Sequence, residues 1–333
     1  ASSESTPYTI VPRKLTPEWG SLQHTYGNVA GATVSSFEGQ YGAGDNYESL
    51  LLAWYYDATA GTEYAGEGVP KNAGTYTVTI TLGNKNYCFG EDAGIYEYTS
   101  SNETYKIDKA ELILKANNAQ AIYGTAPGDD IGWKGYSDVR GLVNGDKLAT
   151  VLKGVDFTYT AVDYAAGDPV GDYNVTLEAS VPEVANYRLD YEVAKNALKI
   201  IPRPIIVDIK YQSAEYGTKA EEMNGALAEE GASGVRAASG EYYGLFADDV
   251  GKESEIWSLE IYEEDRADGT IVSGIPKAAN YYIYGVQKEE GLGKNYEVTF
   301  FGQEALNDGY DAPNRAFFVI GQRSVSISLS LIV

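Results

Sequence analysis

The chain has 333 residues and a formal net charge of −23, from 48 acidic and 25 basic side chains. One Cys and one His exclude an intrachain disulfide, a Cys-rich zinc site and histidine-rich metal chemistry. So acidic a surface disfavours sequence-independent nucleic-acid binding, and no apolar run approaches the 18 or so residues of a membrane span.

In chain order, Ala1–Pro7 are small and polar and do not read as a signal peptide; a mature secreted chain and a recombinant fragment both begin in this way. Internal repetition organises the rest of the chain. Ile10 and Leu15 lead to the pair Tyr26-Gly27. The same spacing leads from Ile107 and Leu112 to Tyr123-Gly124, and from Ile200 and Ile205 to Tyr216-Gly217, without a gap. A second landmark is Asn72–Val78 (NAGTYTV), answered by Pro169–Val175 (PVGDYNV) and more weakly by Lys277–Ile283 (KAANYYI). An Asn-Tyr pair then comes each time, at Asn86-Tyr87, Asn186-Tyr187 and Asn295-Tyr296. Four landmarks in constant order define units over 1–107, 108–201 and 202–320, and 321–333 reads as the opening strand of a fourth.

Strands dominate the expected elements. In Thr75–Leu82, Tyr76, Val78, Ile80 and Leu82 share one face and Thr the other, the period of a half-buried strand. Ile205, Val207, Ile209 and Tyr211 repeat this period, as do Trp257, Leu259 and Ile261, and the residues of Ser324–Val333. Lys147–Leu152 reads as one helical turn capped by Asp146, and Glu221–Glu230 as a short helix. Gly39–Gly44 reads as turns and lacks the ending of a phosphate loop. The expected fold class is all-β: tandem immunoglobulin-like β-sandwich domains, with β-grasp-like units carrying one short helix each as the alternative. Tyr76 and Tyr173 occupy the place of the corner tyrosine of such sandwiches, whose hydroxyl bonds back across the corner. Short junctions, stiffened by Pro12 and Pro202, favour a semi-rigid rod over free beads.

Ala121–Gly124 (AIYG), Gly141–Asp146 (GLVNGD) and Ala185–Tyr187 (ANY) resemble the MBG and YDG repeats of bacterial surface adhesins. The likeness is strongest over 108–201 and weakest in the third unit, whose middle, from Glu221 to Glu264, is long and acidic. The resemblance implies a secreted bacterial cell-surface protein with its repeats in a stalk or adhesive region. It brings no catalytic residues with it. The function it implies is a non-catalytic stalk or adhesion module, extracellular, with host or microbial surface glycans or proteins as partners. No cofactor, nucleic acid or membrane insertion in this segment is expected, and the chain is expected to be a monomer.

The residues themselves offer few chemical alternatives. His24 reads as a surface or turn histidine and Cys88 as a lone, partly buried thiol. Asp129-Asp130, Asp163 with Asp168, and Asp248-Asp249 are oxygen-rich loop candidates for Ca²⁺, with solvated surface charge as the plainer reading. Trp54-Tyr55-Tyr56 and Tyr242-Tyr243 are candidate glycan contacts by stacking on sugar faces, which would make the third unit a carbohydrate reader. In a strand, however, adjacent residues face opposite ways, so part of each cluster belongs to a core. The charge is distributed, with nets of −7, −5 and −11 over 1–107, 108–201 and 202–333, as a soluble, self-repelling surface array requires.

Overall fold

The computed structural model describes residues 8–41, 47–60, 63–90, 99–128, 131–228 and 231–326. The described chain is all-β, with its strands in several sheets of two to five members. Helix is confined to short pieces such as Leu148–Val151 and Ala220–Ala228. The chain divides into two compact units, and the second repeat contributes a four-stranded sheet to each. The first unit holds the first repeat with 108–115, 136–158 and 177–192; the second holds 116–135, 159–176 and everything from Val193 onward.

All three repeats use their landmarks alike. The first residue after each junction pairs in parallel with the tyrosine of the Asn-Tyr landmark: Arg13 with Tyr87, Ala110 with Tyr187, Arg203 with Tyr296. A few residues on, the chain joins a different sheet. There Gln23–Thr25, Ala119–Ile122 and Gln212–Glu215 run parallel to the closing strands Ser100–Asp108, Ala194–Ile201 and Arg315–Gly321. The tyrosine of each Tyr-Gly pair ends this segment, its amide donating to Asp108, Ile201 or Gly321 at 2.8, 2.8 and 2.9 Å. Start and finish of every repeat are thereby tied together by parallel pairing, which requires the whole repeat as its crossover.

The strand Gly74–Leu82 buries Tyr76, Val78, Ile80 and Leu82 and leaves the intervening threonines half-covered, as its period requires. Ile80 and Leu82 enter a core with Leu15, Val34, Phe37, Leu50 and Tyr87, against which Trp19 and Trp54 pack. Burying side chains of this size stabilises by roughly 1.5–3 kcal/mol each. In the third repeat the strand ends at Ile209, short of Tyr211, and Ile206 is buried as well as its neighbours. Both edges of this strand are paired, with Ser233–Val235 and Tyr296–Gly302, and both faces are covered, Ile205, Val207 and Ile209 on one and Ile206 on the other.

Two local features differ from expectation. The helical turn is Leu148–Val151 with Lys147 at its N-cap and no side-chain cap bond. Asp146 does not cap it, because its carboxylate is taken by the phenols of Tyr26 and Tyr187. Of the expected strand Ser324–Val333, residues 324–326 carry no strand and 327–333 lie outside the described residues.

Corner tyrosines close each repeat. Tyr76, Tyr173 and Tyr281 donate their hydroxyls to the carbonyls four residues back, Asn72, Pro169 and Lys277, at 2.7, 2.5 and 2.9 Å. The bond is thus present in the third repeat despite its divergent motif. Tyr76→Phe keeps the ring and removes the bond, and should cost about 1 kcal/mol. Urea unfolding should show a lower midpoint with an unchanged slope, and Tyr281→Phe should move the same way.

Candidate functional site: the joint between repeats

The Tyr-Gly, Asp and Asn-Tyr landmarks converge where one repeat meets the next. In the second unit, the Tyr123 hydroxyl donates to Asp249 Oδ2 at 3.0 Å. Tyr296 donates to the same oxygen at 2.6 Å. The two rings meet edge to face, 5.5 Å apart at 72°. The Tyr296 oxygen also accepts from the Phe246 amide at 3.1 Å. Beside it, Asn295 Oδ1 accepts from the Val170 amide at 3.0 Å, so the Asn-Tyr pair of the third repeat holds the second repeat's corner segment.

The first unit contains the same arrangement one repeat earlier. Tyr26 and Tyr187 both donate to Asp146 Oδ2, at 2.9 and 2.7 Å. Their rings lie 5.4 Å apart at 80°. Tyr187 accepts from the Val143 amide at 3.1 Å, and Asn186 Oδ1 from the Ala73 amide at 2.9 Å. Six positions therefore correspond, and together they make a clasp of one carboxylate and two phenols, flanked by an asparagine.

The glycine after each clasp tyrosine is required twice over. Gly27 and Gly124 have φ of +90° and +83°, which only glycine adopts without strain. A Cβ on Gly27 would stand 2.5 Å from the Val143 side chain, and one on Gly124 2.6 Å from Phe246. The Tyr-Gly pair is thus the surface on which the next repeat's loop sits. Arg203 adds a further tie in the second joint, donating to Tyr123 O at 3.2 Å and to Gly244 O at 2.6 Å.

Electrostatics fix the order of importance. Asp249 is 3% exposed, and a carboxylate so placed costs several kcal/mol unless its lone pairs are filled. Two phenol donors fill Oδ2, and Lys252 Nζ stands 3.8 Å from Oδ1. Each bond to a charged acceptor contributes about 1.5–3 kcal/mol. Burial, and then the bond to Asp249, push the Tyr123 hydroxyl up to about 12 and that of Tyr296 further. Tyr187 is likewise raised to about 12, first by burial.

The other candidates fall elsewhere. Trp54, Tyr55 and Tyr56 share a strand but not a face. Tyr56 is buried on Tyr105 and accepts from the Ala32 amide, Trp54 packs on the core edge to face with Trp19, and Tyr55 is exposed. Tyr242 is half-buried, and Tyr243 is exposed, with the Arg203 guanidinium over one face of its ring at 5.0 Å. His24 lies half-buried against Tyr105 in the strand Gln23–Thr25 and not in a turn, because this segment pairs with the closing strand. Cys88 is buried, with Sγ 3.6 Å from Gly90 O.

Of the candidate calcium acids, Asp249 is committed to the tyrosines and Asp163 accepts from Asn174. Asp168 accepts from the Ala165 amide, and Asp129-Asp130 lie outside the described residues. Among the described residues no group of three acids, His or Cys is placed to hold a metal ion. A cleft of about 680 Å³ in the first unit is lined by Lys106, Asp108, Lys109 and Glu183, which form ion pairs with one another.

Sequence spacing alone could have revealed Asp249. Gly244–Asp249 (GLFADD) has the Gly-Leu start and terminal Asp of Gly141–Asp146 (GLVNGD), three variable residues apart.

Residues 112–197 match the family model of the MBG domain (YGX type). The chain thus carries an MBG-type repeat domain, a kind of repeat found in surface proteins, and the match spans Tyr123-Gly124, Asp146 and Tyr187. No curated protein matches the chain. Among the described residues, no helix is long and apolar enough to cross a membrane.

Asp249→Ala should loosen the second joint by on the order of 2–4 kcal/mol, and Asp249→Asn by less, since an amide oxygen still accepts. Amide exchange at Phe246 and Val170 reads this directly, with both protections falling in the Ala variant. A second outcome concerns pH. Burial holds the Tyr123 and Tyr187 hydroxyls up at about 12, against about 10 in the unfolded chain, so their contribution is intact below pH 10 and lost as pH rises toward 12. Urea unfolding between pH 8 and pH 12 should show a stability plateau followed by a fall.

Proposed function

We propose that the chain is a non-catalytic tandem-repeat segment of a bacterial cell-surface protein, acting as a stalk and adhesion module outside the cell. The observation that carries this reading is where the repeated polar residues are spent. In the two joints, the tyrosine of the Tyr-Gly pair reaches an aspartate of the next repeat and that repeat's asparagine reaches back to the corner segment, so these recurring residues are spent on contact between repeats. Recurrence of that kind serves mechanical continuity: at each joint, load entering one repeat passes to the next through one phenol–carboxylate bond and one asparagine bond. The MBG-type match supports the surface setting. The distributed negative charge keeps such an array hydrated and discourages lateral association.

Antibodies raised against the chain should label intact cells of the source organism as strongly as permeabilised ones. Labelling only after permeabilisation would remove the surface reading.

A further inference from the structure

Two of the three Tyr-Gly turns are covered, and the third is open. Tyr26 and Tyr123 are 8% and 2% exposed; Tyr216 is 49% exposed, and its hydroxyl makes no hydrogen bond among the described residues. Its backbone is nonetheless set as in the other two, with its amide on Gly321 O at 2.9 Å. Gly217 has φ of +106°, the conformation of Gly27 and Gly124, although no apolar side chain approaches it. The corner segment is open in the same way. Ala278 corresponds to Ala73 and Val170, whose amides are capped by the next repeat's asparagine, and Ala278 is exposed with no bond on its amide among the described residues.

Arg323 supplies an independent indication. It occupies the place in its junction that Arg203 occupies in the second joint, where Arg203 donates to Tyr123 O. Its guanidinium lies 3.8 Å from where a Cβ on Gly217 would stand. The parts of a clasp that this repeat can contribute are therefore present: a tyrosine in position, a glycine in the left-handed conformation and an open amide, with an arginine beside them at the position of Arg203.

We propose that the Tyr216-Gly217 turn is a docking surface for a further unit of this repeat type, which would bring a carboxylate to the Tyr216 hydroxyl and an Asn-Tyr pair to Ala278. The occupant is defined by chemistry. It presents an aspartate already bonded to its own tyrosine, with an apolar side chain three residues before that aspartate to cover Gly217, as Val143 covers Gly27 and Phe246 covers Gly124. The proposal rests on the serial-scaffold reading, because it takes the two existing joints as the pattern for a third.

The test extends the chain after Gly321 with a copy of residues 202–321, and in a second version with a copy of residues 108–201. Nitration by tetranitromethane is followed tyrosine by tyrosine with mass spectrometry. In the 333-residue chain Tyr216 should react while Tyr26 and Tyr123 are spared. In both extended chains the Tyr216 rate should fall about tenfold or more, reaction then requiring local opening. Tyr55, exposed in the first repeat, should keep its rate. Placing Asp249→Ala in the added copy should restore reaction at Tyr216. Unchanged nitration of Tyr216 in both extended chains overturns the proposal. Reaction at Tyr26 and Tyr123 in the parent chain would instead overturn the reading of the existing joints, so the two failures are distinct.

Discussion

A carboxylate taken out of water must be paired, and the second joint is organised around that requirement. Asp249 is almost wholly buried, and neither tyrosine alone fills its needs. Tyr296 comes from the same repeat and Tyr123 from the preceding one, so full pairing exists only when both repeats are in place. Several kcal/mol of desolvation are thereby offset by contact between repeats and not within one. A buried polar group of this kind specifies an arrangement more sharply than apolar packing does, because a shifted register would leave it unsatisfied. The first joint applies the same chemistry to the less deeply buried Asp146.

The strand pattern explains how these groups arrive together. Parallel pairing of the opening residues with the Asn-Tyr strand places that tyrosine beside the junction. Parallel pairing of the next segment with the closing strand carries the Tyr-Gly pair to the point where the following repeat begins. The corner bonds of Tyr76, Tyr173 and Tyr281 hold the adjacent turn, whose amides the asparagines cap in the two formed joints. The constant spacing from opening strand to Tyr-Gly pair and the contact between repeats are therefore one fact seen at two scales.

Much of this was legible before the fold was in hand. The ungapped Tyr-Gly spacing, the corner tyrosines and the period of Gly74–Leu82 follow from local rules of turn and strand. What local rules misassigned were groups whose partners are distant. Asp146 precedes a helical turn and so reads as a cap, yet the phenols of Tyr26 and Tyr187 outcompete the helix amides. Asp249 reads as a loop acid open to cations because nothing nearby reveals Tyr123, more than a hundred residues earlier. Trp54 and Tyr56 read as a platform by density, while strand alternation and the core claim them. The landmarks showed that tyrosines recur; only the fold showed that they recur because they hold one repeat to the next.

Asp249 couples the second repeat to the third through Tyr123. A double-mutant cycle of Tyr123→Phe and Asp249→Ala, read by exchange of the Val170 amide, tests this most directly. The expected coupling is about 1–3 kcal/mol, the double variant being little worse than Asp249→Ala alone. Additivity of the two substitutions within about 0.5 kcal/mol would contradict it.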